Sequence, residues 1–159
     1  MKEKVLILGS GALTIGQAGE FDYSGSQAVY SFIDEGFDVI VINPNIATVQ
    51  TNQIDGAKIY LYPVNAEWVT KVIDFEKPNY IVAGFGGQTA INCLLDLDES
   101  KTLEKYNVKV LGSSVETIHA TEDRALFSKK MSEIDMPIAE SFAVTSIEQG
   151  LEVASKIGY

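Results

Sequence analysis

A glycine-rich polar loop is the first candidate for a binding site in this chain. It contains five glycines between residues 9 and 25 and follows directly on the apolar residues 5–8. Glycine lets backbone N–H groups approach a phosphate closely, so such a loop after a strand could hold a nucleotide. A dinucleotide fingerprint that starts at Gly9 needs glycine at position 14, but that residue is Thr14 and the third glycine is Gly16. The spacing argues against a conventional NAD site.

A second glycine turn, residues 84–89, follows the apolar residues 80–83. Its backbone could present N–H groups to an anion at the start of a helix. Between the two glycine turns, Asn43-Pro44-Asn45 is typical of turn chemistry and offers no acidic residue for a ribose hydroxyl. Both segments could also serve as structural turns or as contacts with a neighbouring domain.

Metal and nucleophile chemistry have little support in the residue types. His119 is the sole histidine and Cys93 the sole cysteine, so neither has a second ligand of its kind for a metal. No serine has a histidine and an acid spaced to form a triad. A single cysteine permits no intrachain disulfide and favours a reducing compartment. We expect Cys93 to be buried, because its neighbours Ile91, Leu94 and Leu95 are apolar.

The charge balance argues against nucleic acid and anionic membranes as partners. There are 22 acidic and 12 basic side chains, which gives a net charge of −10. No run of about twenty apolar residues occurs, so no membrane span is expected. The apolar run near the amino terminus is too short for a signal peptide. We expect a soluble, cytoplasmic protein, with a mitochondrial location left open.

Apolar strands alternate with helix-spaced apolar positions along the first 135 residues. Strands are predicted at residues 5–8, 37–42, 58–62, 80–83 and 108–111. Helices are predicted from near Ser24, from the cap Asn65 to Pro78, around residues 90–95, and from Glu122 after Thr121 to Ile134. Beyond Pro137 we expect a strand at 142–144 and a helix from Ile147 to Lys156, with Thr145 and Glu148 as a capping box. Trp68, Val69 and Val72 are expected to pack against the sheet.

This alternation predicts an α/β fold: a Rossmann-like open parallel sheet of about five strands, with helices on both faces. The expected strand order is 3-2-1-4-5, which makes the first and fourth strands neighbours. The two glycine turns should then lie side by side at the carboxyl edge of the sheet, where ligands bind in such folds. After Pro137 the pattern starts afresh and the sequence stops at a helix end, so we expect the chain to be cut from a longer protein.

Four stretches, taken together, resemble one known family. They are GQAGEFDYSGSQA from Gly16, NPNIATVQT from Asn43, GGQTAINC from Gly86 and ATEDR from Ala120. They look like the start of the large, ammonia-dependent synthetase subunit or domain of carbamoyl-phosphate synthetase, in that family's order and spacing. The resemblance covers nearly the entire chain.

The resemblance implies a division into two parts. Residues 1–120 would form a Rossmann-like pre-ATP-grasp domain, and residues 121–159 a linking helix and the start of a truncated ATP-grasp domain. The complete enzyme would be a ligase that joins glutamine-derived ammonia to carboxyphosphate, made from bicarbonate and ATP. A second ATP would then phosphorylate the resulting carbamate. The product, carbamoyl phosphate, would serve pyrimidine, arginine or urea metabolism.

The resemblance also implies one ATP-binding residue. Arg124 matches the arginine of the Glu-Asp-Arg motif that contacts ATP at the first, carboxyphosphate-forming site. An arginine offers a charged fork for phosphate oxygens. The competing interpretation is an ion pair on the helix surface with Glu122 or Asp123.

Three further residues match a family loop beside the internal passage through which carbamate travels. They are Gln17, Ala18 and Glu20. Small residues keep such a passage open, while an amide and a carboxylate offer hydrogen bonds without tight binding. The alternative, which the sequence leaves level with the first, is that Glu20 and Asp22 only cap the first helix or favour its dipole.

The implied cofactors are ATP with Mg²⁺ or Mn²⁺ in the complete enzyme, and no tightly bound cofactor or catalytic residue is expected in this chain. The implied partners are a glutaminase subunit or domain, the remaining synthetase domains, and the substrates bicarbonate, ammonia and ATP. We expect the chain alone to be inactive. The alternatives are a nucleotide- or NAD-binding Rossmann domain of an oxidoreductase, and a non-catalytic module that docks partners through its glycine turns.

Overall fold

The structure, a computed structural model, describes residues 2–11 and 17–158. It divides into two compact units, Met1–Val115 and Glu116–Tyr159. The first contains a five-stranded parallel sheet in the order β3-β2-β1-β4-β5, as the sequence predicts. Its strands are β1 Lys4–Leu8, β2 Asp38–Ile42, β3 Ala57–Tyr60, β4 Tyr80–Val82 and β5 Lys109–Val110. Its helices are α1 Gln17–Asp34, a 3-10 turn Val49–Thr51, α2 Ala66–Glu76, α3 Gly87–Glu99 and α4 Thr102–Tyr106.

Helices cover both faces of this sheet, which confirms the predicted fold class. Successive strand residues point to opposite faces, so Val5 and Ile7 of β1 share one face and pack with Val29 of α1. The alternate residues Leu6 and Leu8 are also fully buried, on the face opposite α1. Strands buried on both faces read as continuous aliphatic runs, which is why β1 and β2 could be predicted from sequence.

The predicted start of α1 near Ser24 is wrong, because the helix already includes Gln17. The additional turns of α1 contain Gly19, although a glycine costs a helix about 1 kcal/mol relative to alanine. Packing against the sheet outweighs that cost, and Gly25 has a packing role described below. Thr14 and Gly16, on which the fingerprint argument depends, lie outside the described residues.

Helix α2 follows its sequence signals closely. The side chain of Asn65 accepts a hydrogen bond from the backbone N–H of Trp68, as predicted for a cap. Val69 and Val72 are buried, but Trp68 is only partly buried and stacks on Tyr62 at 4.7 Å between ring centroids. The prediction that Trp68 packs in the core is therefore wrong.

The second unit holds α5 Val115–Glu122 apart from its first residue, α6 Arg124–Glu133 and α7 Ile147–Ile157. Asp123 caps α6 through a hydrogen bond from the Leu126 N–H, so the helix predicted from Glu122 to Ile134 is present and begins two residues later, at Arg124. Residues 142–144 form no strand in the described structure, because no neighbouring strand pairs with them there. Ser146 caps α7 in place of the predicted Thr145.

Candidate functional site

The two glycine turns meet at the carboxyl edge of the sheet, as the strand order predicts. A Cβ atom placed on Gly86 would lie 2.5 Å from the carbonyl oxygen of Gly9 and 2.6 Å from that of Leu8. Only glycine permits this close approach of the β4 turn to the end of β1. The turn leads directly into α3, whose cap residue Gly86 makes no side-chain capping bond. The edge is thus built from closely packed backbone.

Helix α1 begins beside this edge. Gln17, Ala18 and Glu20 all lie in its first turns, and Glu20 is exposed and is the acidic residue of the first turn. A carboxylate there is favoured by the helix dipole, so the purely structural alternative has direct support for Glu20. Asp22 accepts a hydrogen bond of 3.5 Å from the Ser10 hydroxyl, which links α1 to the end of β1. The passage role stays a prediction.

A buried amide pair lies under the same helix, at the end of β2. Asn43 donates from Nδ2 to Oε1 of Gln50 over 2.7 Å, and both side chains are fully buried. The Asn43 Oδ1 accepts from the backbone N–H of Asn45 at 3.0 Å, so the predicted turn chemistry at Asn43-Pro44-Asn45 is confirmed. Because Asn43 is turned inward and engaged, it offers no acceptor to a ribose, and the dinucleotide alternative is not favoured.

Arg124 lies at the first turn of α6, where it lines a cavity of about 570 Å³. Ser141, Phe142 and Val144 form the facing wall, and none of the lining residues is acidic. Asp123 is engaged as the helix cap, and Arg124 forms no ion pair within the described part of the chain. The competing Asp123 ion pair is therefore not formed. The guanidinium and the positive end of the helix dipole both favour an anion at this cavity.

Cys93 and His119 do not form a site. Cys93 is buried as predicted, and burial, with a smaller effect of Asp96, raises the pKa of its thiol to about 12. Such a thiol is not a nucleophile at neutral pH. Within residues 2–11 and 17–158 no cluster of three His, Cys, Asp or Glu side chains could hold a metal. No helix in that same part of the chain is long and apolar enough to cross a membrane.

A buried carboxylate lies at the amino edge of the sheet, opposite the glycine turns, and it is not among the residues predicted from the sequence. Glu76 accepts hydrogen bonds from Lys58 Nζ at 2.9 Å, Lys4 Nζ at 3.1 Å and the Tyr60 hydroxyl at 2.5 Å, and its side chain is 2 % exposed. Burial disfavours its charge, but the three donors outweigh this and lower its pKa to about 2. Burial and the bond to Glu76 raise the pKa of Tyr60 to about 12. Its burial has a signal in the sequence, because Glu76 lies at helical spacing on the same face of α2 as the buried residues Val69, Val72 and Ile73.

Comparison with known proteins decides the family. Residues 1–120 match the carbamoyl phosphate synthase preATP-grasp domain. The chain belongs to this family. The resemblance proposed from the four sequence stretches is therefore confirmed.

Two curated relatives are much longer than this chain. It is 60 % identical over 156 residues to the multifunctional protein pyr1-3 of Dictyostelium discoideum, covering 98 % of the chain and 7 % of the relative. It is 56 % identical over 160 residues to the mitochondrial carbamoyl-phosphate synthase [ammonia] of Homo sapiens, covering 98 % of the chain and 11 % of the relative. The chain therefore spans only about a tenth of the length of these relatives.

One solved structure supports the fold alone. The biotin carboxylase domain of a single-chain bacterial carboxylase matches with a TM-score of 0.65 at 13 % identity. The match covers 98 % of the preATP-grasp chain and 34 % of that domain's chain. At this identity the likeness shows a shared α/β architecture and carries no statement about ligands.

Proposed function

We propose that the chain is part of the ammonia-dependent synthetase component of carbamoyl-phosphate synthase. In this proposal residues 1–120 are the scaffold domain and residues 121–159 open an ATP-grasp domain. The observation that carries it is the family match over residues 1–120. The complete protein would use bicarbonate, glutamine-derived ammonia and two ATP to make carbamoyl phosphate, which supplies pyrimidine or arginine synthesis. A glutaminase and the remaining synthetase domains would be its partners.

Arg124 would hold phosphate oxygens of ATP at the carboxyphosphate-forming site. The cavity fits a phosphate group, because it joins a guanidinium, a helix amino terminus and the Ser141 hydroxyl without an acidic neighbour. Ser128 also lines it, although its hydroxyl donates to the Arg124 carbonyl at 2.9 Å. The described residues offer no ligand cluster for Mg²⁺, so no metal-dependent step is assigned to this chain.

Gln17, Ala18 and Glu20 would line the passage for carbamate. Two features support this: they belong to the first turns of α1, and Glu20 is exposed at the carboxyl edge of the sheet. That edge is where open parallel sheets meet ligands and partner domains. An exposed carboxylate can accept hydrogen bonds from the N–H groups of carbamate without binding the molecule tightly.

Arg124→Ala is expected to lower kcat/KM for ATP roughly 100-fold in the bicarbonate-dependent ATPase of the complete synthetase, because one charge-assisted phosphate contact is lost. Arg124→Lys should recover only part of this loss, since an ammonium cannot form the two-pronged contact. Steady-state ADP release with and without bicarbonate measures both values.

Lys129→Ala is the matched control, because Lys129 is an exposed cation on the same helix and is not among the residues that line the cavity. It should leave the ATPase within about twofold of the parent. If Arg124→Ala behaved like Lys129→Ala, the assignment of Arg124 to ATP would be wrong.

A further inference from the structure

The orientation of the Gln50 side-chain amide is dictated by its surroundings. The backbone N–H of Asn45 holds the Asn43 Oδ1, so the Asn43 Nδ2 must face Gln50. The Gln50 Oε1 therefore faces Asn43, and its Nε2 points the other way. Among the described residues this buried Nε2 has no hydrogen-bond acceptor. A buried donor without a partner is costly, so its retention needs a structural explanation.

The explanation lies in helix α1. The Gln50 Nε2 lies against Gly25, where an added Cβ would overlap it and would also lie 3.0 Å from the Gln50 Cδ. The side chain of Gln50 thus occupies the space that any other residue at position 25 would need. We call this contact the Gln50 seat, formed by Gln50 and Gly25.

A second contact of the same kind supports α1 closer to its start. A Cβ placed on Gly87 would lie only 3.3 Å from the ring of Phe21, and Gly87 has a φ of +59°. Phe21 and Gly25 are four residues apart and so lie near the same face of the helix. Side chains and glycines therefore interlock at two points along the amino-terminal half of α1.

Within the described part of the chain, the side-chain hydrogen bond that links this half of α1 to the end of β1 is long. The Ser10 hydroxyl reaches Asp22 at 3.5 Å, which is the limit for a hydrogen bond. Core packing of Val29 holds the middle of α1 on the sheet, and the steric fit at the two glycines lies closer to its first turns.

We propose that Gln50 is a positioning residue, which fixes through Gly25 the placement of α1 and hence of the proposed passage residues Gln17, Ala18 and Glu20. This inference rests on the proposed function only for its consequence in the reaction. In the reaction, a displaced α1 would let carbamate escape from the passage. Free carbamate takes up one proton and breaks down to ammonia and carbon dioxide. The ATP spent on carboxyphosphate would then yield no carbamoyl phosphate.

Thermal unfolding of the chain tests the seat itself. Gly25→Ala should lower Tm by about 5 °C or more, because the new methyl group overlaps a buried amide. In a Gln50→Ala background the same Gly25→Ala change should lower Tm by less than about 2 °C, since the space is then free. Gly19→Ala, on the same helix with nothing within 4 Å of its added Cβ, should not lower Tm. If Gly25→Ala lowered Tm equally in both backgrounds, the Gln50 seat would be refuted.

Reaction stoichiometry in the complete synthetase tests the positioning role. Gln50→Ala should raise the ATP hydrolysed per carbamoyl phosphate formed at least about twofold, while bicarbonate-dependent ATPase per folded enzyme is unchanged. Gln50→Met, with a side chain of similar volume, should keep the parental ratio. A merely structural role would lower ATPase and synthesis in proportion and leave the ratio unchanged, which would overturn the positioning role. If the parental enzyme formed no carbamoyl phosphate, the proposed function would fail while the unfolding experiment still decided the seat.

Discussion

Glu76→Gln is expected to lower the free energy of unfolding by about 3 kcal/mol, because it removes the charge that three donors share at the amino edge of the sheet. Lys4, Lys58 and Tyr60 come from strands β1 and β3, so Glu76 ties the end of α2 to two strands. An amide can accept from only one or two of these donors and carries no charge. Urea unfolding followed by circular dichroism measures the loss.

The control for this variant is Glu67→Gln on the same helix. Glu67 pairs with Lys71 at 2.7 Å, but both side chains are largely exposed. An exposed pair four residues apart contributes about 0.3–0.5 kcal/mol, so this variant should be nearly as stable as the parent. Equal losses for Glu67→Gln and Glu76→Gln would refute the role assigned to the buried carboxylate.

The same carboxylate predicts a pH dependence. Burial opposes its charge but the three donors lower its folded-state pKa from 4.5 to about 2. A lowered pKa means that the stabilisation is fully present above pH about 4.5 and is lost as the pH falls through about 2. The difference in unfolding free energy between the parent and Glu76→Gln should therefore shrink across this range. A constant difference from pH 5 to pH 2 would contradict the assignment.

Gly86→Ala is expected to destabilise the chain by at least about 3 kcal/mol or to prevent folding. The added methyl group would lie 2.5 Å from the Gly9 carbonyl oxygen and 2.5 Å from the Ala90 Cβ. The Gly9 oxygen belongs to the backbone at the end of β1, so the clash cannot be relieved by a rotamer change. Chemical unfolding, or the soluble yield if unfolding cannot be measured, reports the effect.

Gly84→Ala tests whether this cost is specific to position 86. Gly84 lies in the same turn, yet nothing lies within 4 Å of its added Cβ and its φ is not positive. We expect a change within about 0.5 kcal/mol. A loss at Gly84 equal to that at Gly86 would show that the whole turn, and not the close approach of β4 to β1, limits stability.

Local sequence signals predicted the sheet well for a physical reason. A parallel sheet covered on both faces needs continuous aliphatic strands, and runs such as residues 5–8 have few other uses in a soluble fold. The Asn65 cap was equally readable, because a short polar side chain before a helix-spaced apolar pattern has one favoured role. Strand order then followed from crossover handedness.

Residues whose role depends on distant partners could not be predicted. Gln50 is an unremarkable residue in a turn until Gly25, 25 positions away, is folded against it. Helical spacing places Glu76 on the buried face of α2, but the local sequence does not show that its donors come from strands β1 and β3. The start of α1 at Gln17 could not be predicted for the same reason. The packing that stabilises a glycine-containing helix depends on residues that are distant in the sequence.

Arg124 shows a different limit. For an isolated arginine the sequence favours a surface ion pair with Glu122 or Asp123, and only the surrounding motif favours a phosphate contact. In the structure the Asp123 carboxylate caps α6, and Arg124 lines a cavity. A cap and an ion pair use the same carboxylate, and only the folded helix end shows which one forms.

We propose that this chain works within a synthetase that makes carbamoyl phosphate. The most direct measurement is the product balance of the complete polypeptide that contains this sequence, supplied with bicarbonate, ammonia and ATP. We expect about one molecule of carbamoyl phosphate for every two ADP released, and none when bicarbonate is omitted. ATP hydrolysis without any carbamoyl phosphate, or no bicarbonate dependence, would contradict it.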